Sequence, residues 1–426
     1  MPHQNPKVAR VSERRKIGLD TCWHVILLIT AISFVGMAIF RTAGYQYVAF
    51  MNEFGVDRES ASWPQSLMTG FSGMTGLFVA ALQKKFSITS IMIAGSVLAW
   101  LGAMTSVCAK SMIVVTLTLG VVHSVGVGII FVLLQVFIVM YFDQLRPTVL
   151  GLSAVGMTAS AFVFTKLLEL LDEEYGLQNA FLIVGAILLH LSPLTYLLKI
   201  PPWYKRKKTD QVAHSEPSEN SADMSKADAQ SHDHAIVEAA DRVVTTYRQD
   251  ILILLGTPSF YVIVLSAAAT TFIDSILLTT MLDFAVDKGS THAQAVWLTS
   301  FQTLTDIVGR LCLPVLADLV KLPRRYLLTL NQILMGITLL IAPFVSSLWQ
   351  VVVICLLISI FIGCGVIMHD VLVPDYIELE RLLLVHGTIG TVRAPIMLAA
   401  PALIGKLAHY IAINGYSRRH LRCIET

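Results

Sequence analysis

The chain has 426 residues, 55% of them hydrophobic and 14% charged, with a formal net charge of +2 and a mean hydropathy of +0.68. It is too apolar for a soluble chain with a single core, and the small net charge gives no ground for a nucleic-acid partner. Six cysteines (Cys22, Cys108, Cys312, Cys355, Cys364 and Cys423) are scattered without a CxxC pair. They read as small buried hydrophobes, not as a disulfide or zinc framework.

The first 22 residues are polar and basic, without the early apolar run and small-residue cleavage site of a removable signal peptide. Apolar runs of membrane-spanning length then follow near 23–50, 63–83, 88–108, 112–141, 147–170 and 179–200. A second set lies near 256–284, 293–317, 324–346, 348–374 and 386–412. Between the sets, 204–250 is rich in Lys, Asp, Ser, His and Glu and has no apolar period, which predicts a solvated, disordered linker. The expected layout is an N-terminal tail (1–22), a six-helix bundle (23–203), the linker (204–250), a second bundle (251–413) and a polar tail (414–426). The fold class is therefore an all-α multi-pass membrane protein.

Charge placement orients it. Lys7, Arg10, Arg14, Arg15 and Lys16 precede the first span, Lys84 and Lys85 follow the second, and Arg146 follows the fourth. Lys205 to Lys208 follow the sixth, and Lys321, Arg324 and Arg325 the eighth, whereas Asp172, Glu173 and Glu174 follow the fifth. By the positive-inside rule the N-terminus and linker are expected in the cytoplasm. Trp63 and Trp297 open the second and eighth spans, and each Gly-containing helix runs on to a basic loop. This is a weak parallel repeat of the kind found in six-plus-six transporters. Eleven spans would put the tail, with Arg418, Arg419 and Arg422, on the outside. The expectation is that a twelfth helix has been lost or replaced; a working eleven-helix protein is the alternative.

Charges inside the spans point to chemistry. Asp306 and Arg310, four apart in TDIVGRLCLPVLADL, fall on one helical face about 40° of rotation and about 6 Å of rise apart. Each would cost roughly 2.5–3.5 kcal/mol at the bilayer centre, so the pair must face protein or water. A carboxylate that can take a proton beside a guanidinium that cannot lose one is an anion and proton site; the other reading is a structural ion pair locking two helices. Arg41, in IFRTAGYQY, either binds an anion or snorkels to the headgroups. His123, among Gly120, Gly126 and Gly128, reads as a packing histidine before a proton relay. Adjacent His369 and Asp370 point to different faces and make a poor metal pair. Arg393, in GTVRAP, is expected to pair with an acid elsewhere, Asp274 or Asp370. The Gly- and Ala-rich second, fourth and fifth spans read as close-packing faces. Gly151 and Gly156 open no phosphate loop, and no catalytic motif occurs, so neither an enzyme nor a cofactor or metal is expected.

The run Asp306-Ile307-Val308-Gly309-Arg310 with Leu316-Ala317-Asp318 resembles the eighth helix of the monocarboxylate transporter family, solute carrier family 16, of the major facilitator superfamily. FGVDRESASW from Phe54 resembles that family's first external loop and second helix. Tyr141-Phe142, Arg146-Pro147 and GLSAVG from Gly151 resemble its loop between helices four and five. The likeness runs from about residue 19 to residue 416, linker excepted. The chain departs from the family at Asp20-Thr21-Cys22-Trp23, where the second and third residues are glycines in the family. Val25 stands where a second Trp is common, and LQKKFSITS lacks the glycine after its phenylalanine. Counting back from Trp63 sets Arg41 at the family's substrate-binding lysine of helix one.

The resemblance implies a major facilitator fold and a plasma-membrane symporter of small organic monocarboxylates (lactate, pyruvate or ketone-body class) and protons. Arg41, Asp306 and Arg310 would then be its substrate and proton site. It also implies, as a partner in the bilayer, a single-span immunoglobulin-like ancillary glycoprotein. A facilitative carrier of aromatic amino acids or similar larger carboxylated solutes is the alternative within the class. A non-transporting truncated regulatory membrane protein is the alternative outside it.

Overall fold

In a computed structural model of the protein, the described residues are 22–83, 85–142, 146–201, 258–287, 291–319, 324–344, 348–376 and 379–406. The expected N-terminal tail (but for Cys22), the linker 204–250, the polar tail 414–426 and the argument for a twelfth helix lie outside them. The described residues form helices and their connections, in the order expected. They are α1 (Trp23–Gly36), α2 (Ala43–Phe54), α3 (Arg58–Leu82), α4 (Ile88–Thr105), α5 (Met112–Leu117), α6 (Ser124–Tyr141) and α7 (Arg146–Tyr175). After these come α8 (Leu177–Leu188), α9 (Leu191–Leu197), α10 (Pro258–Asp287), α11 (His292–Leu319), α12 (Arg324–Ile341), α13 (Leu348–Tyr376) and α14 (Leu379–Leu398). By chain contacts, Met1–Lys199 and Ala267–Thr426 form one compact unit, and Ile200–Ser266 a second.

Among the described residues, seven helical segments are long and apolar enough to cross a bilayer, and the pair Trp23–Gly36 and Phe40–Phe54, bent by 45°, makes up to an eighth. Helices α3 and α11 are less apolar because their inner faces hold polar groups: Gln65, Ser66 and Thr69 on α3, and Thr303, Asp306 and Arg310 on α11, are buried. Outer faces are apolar instead, with Leu27 72% and Leu340 73% exposed, the inverse of a soluble core and the pattern lipid requires. Helix ends obey ordinary capping rules. Asp57 accepts the Ser60 N–H at 3.0 Å, and the Ser60 hydroxyl and N–H together hold its carboxyl below the usual range; Ser87 accepts the N–H of Ser90 at 3.1 Å. Gly55 closes α2 with φ +61°, where a Cβ would be strained.

Small residues decide how closely the helices approach. A Cβ at Gly390 would meet the backbone of Gly73, and one at Gly387 that of Gly76 and Leu77, so α3 and α14 pack backbone to backbone. Gly309 lies on the Ile360 carbonyl and brings α11 against α13. Gly151 faces Leu311 between α7 and α11, and Gly156 faces Thr30 between α7 and α1, next to a 2.8 Å bond between Ser33 and Ser153 hydroxyls. The small-residue faces expected from the sequence are thus helix contacts. A π-turn at Thr118–His123 continues α5. His123 is fully buried there, its Nδ1 donating to the Ala99 carbonyl at 2.7 Å, as a packing histidine does. The cysteine expectation holds in part: Cys355 and Cys364 are buried, but Cys108 and Cys312 are exposed.

Candidate functional site

The break between α1 and α2 creates the first element of the site. The chain leaves the α-helix after Gly36 and passes through a 3-10 turn, Phe40–Thr42. The carbonyl of Ile39 accepts the Thr42 N–H at 3.3 Å, and inside a membrane the broken helix draws further donors to it. Gln46 Nε2 supplies one at 2.6 Å and the Thr42 hydroxyl another at 3.0 Å. Arg41 sits in this turn with its side chain only 8% exposed. The snorkelling reading is therefore excluded: the guanidinium points into the protein.

There it meets Asp306. Arg41 Nη2 lies 2.8 Å from Asp306 Oδ2, Arg310 Nε 2.9 Å from the same oxygen, and the Thr158 hydroxyl donates to it at 3.1 Å. The second carboxylate, Asp274 on α10, has its Oδ2 3.6 Å from Arg41 Nη1. Asp306 Oδ1 is buried and has no hydrogen-bond partner. Three helical elements (the 3-10 turn, α7 and α11) thus converge on one carboxylate oxygen while its twin stays uncommitted. The second oxygen faces Gly363 on α13, where an added Cβ would come within 2.7 Å of it. A cavity of about 20 Å³ adjoins the cluster, lined by Asp274, Gln302, Thr303 and Ser359 among others; that is water-sized.

Asp306 and Arg310 pair along α11 as their spacing predicts, and Arg41, more than 260 residues away in sequence, joins them. Sequence reasoning missed Thr158 and missed Asp274 as a member of the site. Asp274 had a signal, being an acid inside the apolar run TTFIDSILL; Thr158 had none, since a lone threonine in a small-residue helix is ordinary. Of the two acids expected to partner Arg393, Asp274 turns to Arg41; Arg393 Nη1 donates to the Thr271 hydroxyl at 3.0 Å, and Asp370, on the same cavity wall, acts on it through space. Among the described residues no group of three or more His, Cys, Asp or Glu could hold a metal.

One end of the helices nearest this cluster is latched. At the start of α3, Arg58 Nε lies 2.8 Å from Asp283 Oδ2 near the end of α10, with Nη2 3.1 Å from Oδ1. Tyr45 donates to Asp172 at 2.8 Å close by. A two-pronged but partly exposed pair contributes about 1 kcal/mol. Arg58→Ala should therefore open this end more often. A cysteine placed at Gln302 in a cysteine-free background should react about fivefold faster with an impermeant thiol reagent. An unchanged rate would show that the pair does not hold the end shut.

Ion-paired charges buried among apolar helices, with a bent helix supplying one of them, define a multi-pass membrane transporter. The chain matches the family model of the Major Facilitator Superfamily over residues 26–401, and it belongs to that superfamily. Curated relatives include monocarboxylate transporter 4 of Gallus gallus, 24% identical over 90% of this chain and 76% of the relative. Monocarboxylate transporter 3 of Rattus norvegicus is 26% identical over 83% of this chain and 67% of the relative. Monocarboxylate transporter 11 of Homo sapiens is 27% identical over 41% of this chain and 37% of the relative. These relatives are transporters, not enzymes. Among solved structures, the peptide transporter POT in complex with alafosfalin shares the fold, with a TM-score of 0.52 at 14% identity over 89% of this chain and 94% of that one.

Proposed function

We propose that the chain carries small monocarboxylates of the lactate and pyruvate class across the plasma membrane together with a proton. Transport is by alternating access, and Arg41, Asp306 and Arg310 form the coupled site. The observation that carries this reading is the convergence of two guanidiniums on one oxygen of Asp306 while the other oxygen has no partner. The guanidiniums cannot lose their protons, whereas the carboxylate can take one. A proton arriving on Oδ1 weakens the hold of Asp306 on both arginines and frees them for a substrate carboxylate. With Arg41, Arg310, Asp274 and Asp306 all ionised the site sums to zero. One anion plus one proton leaves it at zero; an anion alone leaves a buried negative charge, which is costly in hydrocarbon.

The names of the curated relatives support the substrate class, and the basic loops support a cytoplasmic N-terminus. A single-span immunoglobulin-like glycoprotein as escort belongs to the same reading.

The test is a pair of substitutions read by substrate affinity. Arg310→Lys keeps charge but loses the planar fork, and should weaken binding about tenfold, on the order of 1.4 kcal/mol. Arg41→Lys restores the residue the resembled family carries and should be tolerated better. Unchanged affinity in Arg310→Lys would make Arg310 a structural partner of Asp306 and move the anion site elsewhere.

A further inference from the structure

We infer that Arg393 is a second carboxylate anchor and that its cavity receives a short 2-hydroxy monocarboxylate; the inference rests on the transport reading above. With Asp306 ionised, both guanidiniums beside it are held by its carboxylate and the space there is water-sized, so a solute must first be received elsewhere. A cavity of about 230 Å³ lies among α3, α6, α10, α13 and α14, with Phe40 and Phe131 on its wall and room for a three- or four-carbon acid. Thr271, which bonds Arg393, is three residues from Asp274, which pairs with Arg41. The two contact residues are thus about one helical turn apart on α10, roughly 4.5 Å of rise.

Arg393 is charged and unsatisfied. Its one hydrogen bond is to Thr271 and its Nε is buried without a partner; Asp370 acts on it through space, without a direct ion pair. Asp370 shares the cavity wall, with Gln135 Nε2 3.5 Å from its Oδ2. Gly73 makes the room: a Cβ there would come within 3.1 Å of Arg393 Nη2. A buried guanidinium with an idle donor calls for an anion.

The hydroxyls around it set the rest of the ligand. Ser72 gives its proton to the Thr69 carbonyl at 3.2 Å, Thr69 to that of Gln65 at 3.0 Å, and Thr271 to that of Ala267 at 2.9 Å. What these side chains offer the cavity is therefore acceptor oxygens. A ligand with a hydroxyl beside its carboxylate donates to them; a 2-oxo acid has no proton to give.

Binding of labelled lactate to the purified full-length chain tests this, with pyruvate and lactamide as competitors. The expected result is lactate about fivefold tighter than pyruvate, with lactamide a poor competitor. Arg393→Gln should raise the lactate Kd at least tenfold and abolish the preference over lactamide. Val132→Trp, which fills the cavity from α6 and leaves the arginine intact, should also abolish binding if Arg393→Gln does not fold. The inference is overturned if pyruvate binds as tightly as lactate, or if Arg393→Gln binds lactate like the parent while Arg310→Lys does not. A parent chain that binds no carboxylate would instead sink the transport reading itself, and this inference with it.

Discussion

Asp306→Asn is expected to lower monocarboxylate uptake at least a hundredfold and to leave the residue of activity independent of pH. In the unmutated protein uptake should rise as the external pH falls, because the proposed coupling makes the proton a co-substrate. Asparagine keeps the shape of the side chain but can neither carry a proton nor neutralise Arg41 and Arg310, which lie 2.8 and 2.9 Å from Oδ2. Removing one partner of a buried ion pair costs about 3–5 kcal/mol, so the amount of folded protein at the surface must be measured alongside uptake. Equal uptake at acidic and neutral pH by the unmutated protein would sink proton coupling and favour facilitated transport. A pH dependence that survives in Asp306→Asn would place the proton on another group.

Gly363→Ala should be nearly as damaging, by a different route. In an ordinary helix this change stabilises by about 0.5–1 kcal/mol. Here the new methyl would fall within 2.7 Å of Asp306 Oδ1 and closer still to the Asp306 carbonyl oxygen. Both are atoms of the site or of the helix that carries it, and neither is the far end of a flexible chain. Helices α11 and α13 would have to separate, and the one uncommitted oxygen of the cluster would be covered. The expected readouts are a Tm lower by several degrees and transport reduced by on the order of a hundredfold. A Tm raised by the substitution, with transport intact, would show that α11 and α13 tolerate a wider spacing and that Oδ1 need not be open.

The helices, their order and their membrane character were legible in the sequence because they depend on hydropathy and length summed over some 20 residues, which no single contact can reverse. The pairing of Asp306 with Arg310 was legible for the same local reason: a spacing of four sets two side chains on one face. Arg41 was reached only through its position relative to Trp63. Its partner could not be inferred, because Asp306 lies more than 260 residues further along the chain. Arg393 shows the limit of counting charges. An intramembrane arginine needs compensation, and Asp274 and Asp370 were both reasonable candidates, but Asp274 turned to Arg41 and Arg393 to the Thr271 hydroxyl, with Asp370 acting through space.

What the sequence by itself determined is the set of helices and the presence of charge within them, since the bilayer penalises each residue where it stands. What only the tertiary structure decided is which charges meet. The break after Gly36 turned Arg41 inward, the glycines at 309 and 363 let α11 and α13 close on each other, and Gly73 left space for Arg393. Each of these depends on the approach of backbones distant in sequence, at separations where a single methyl group decides whether two helices touch.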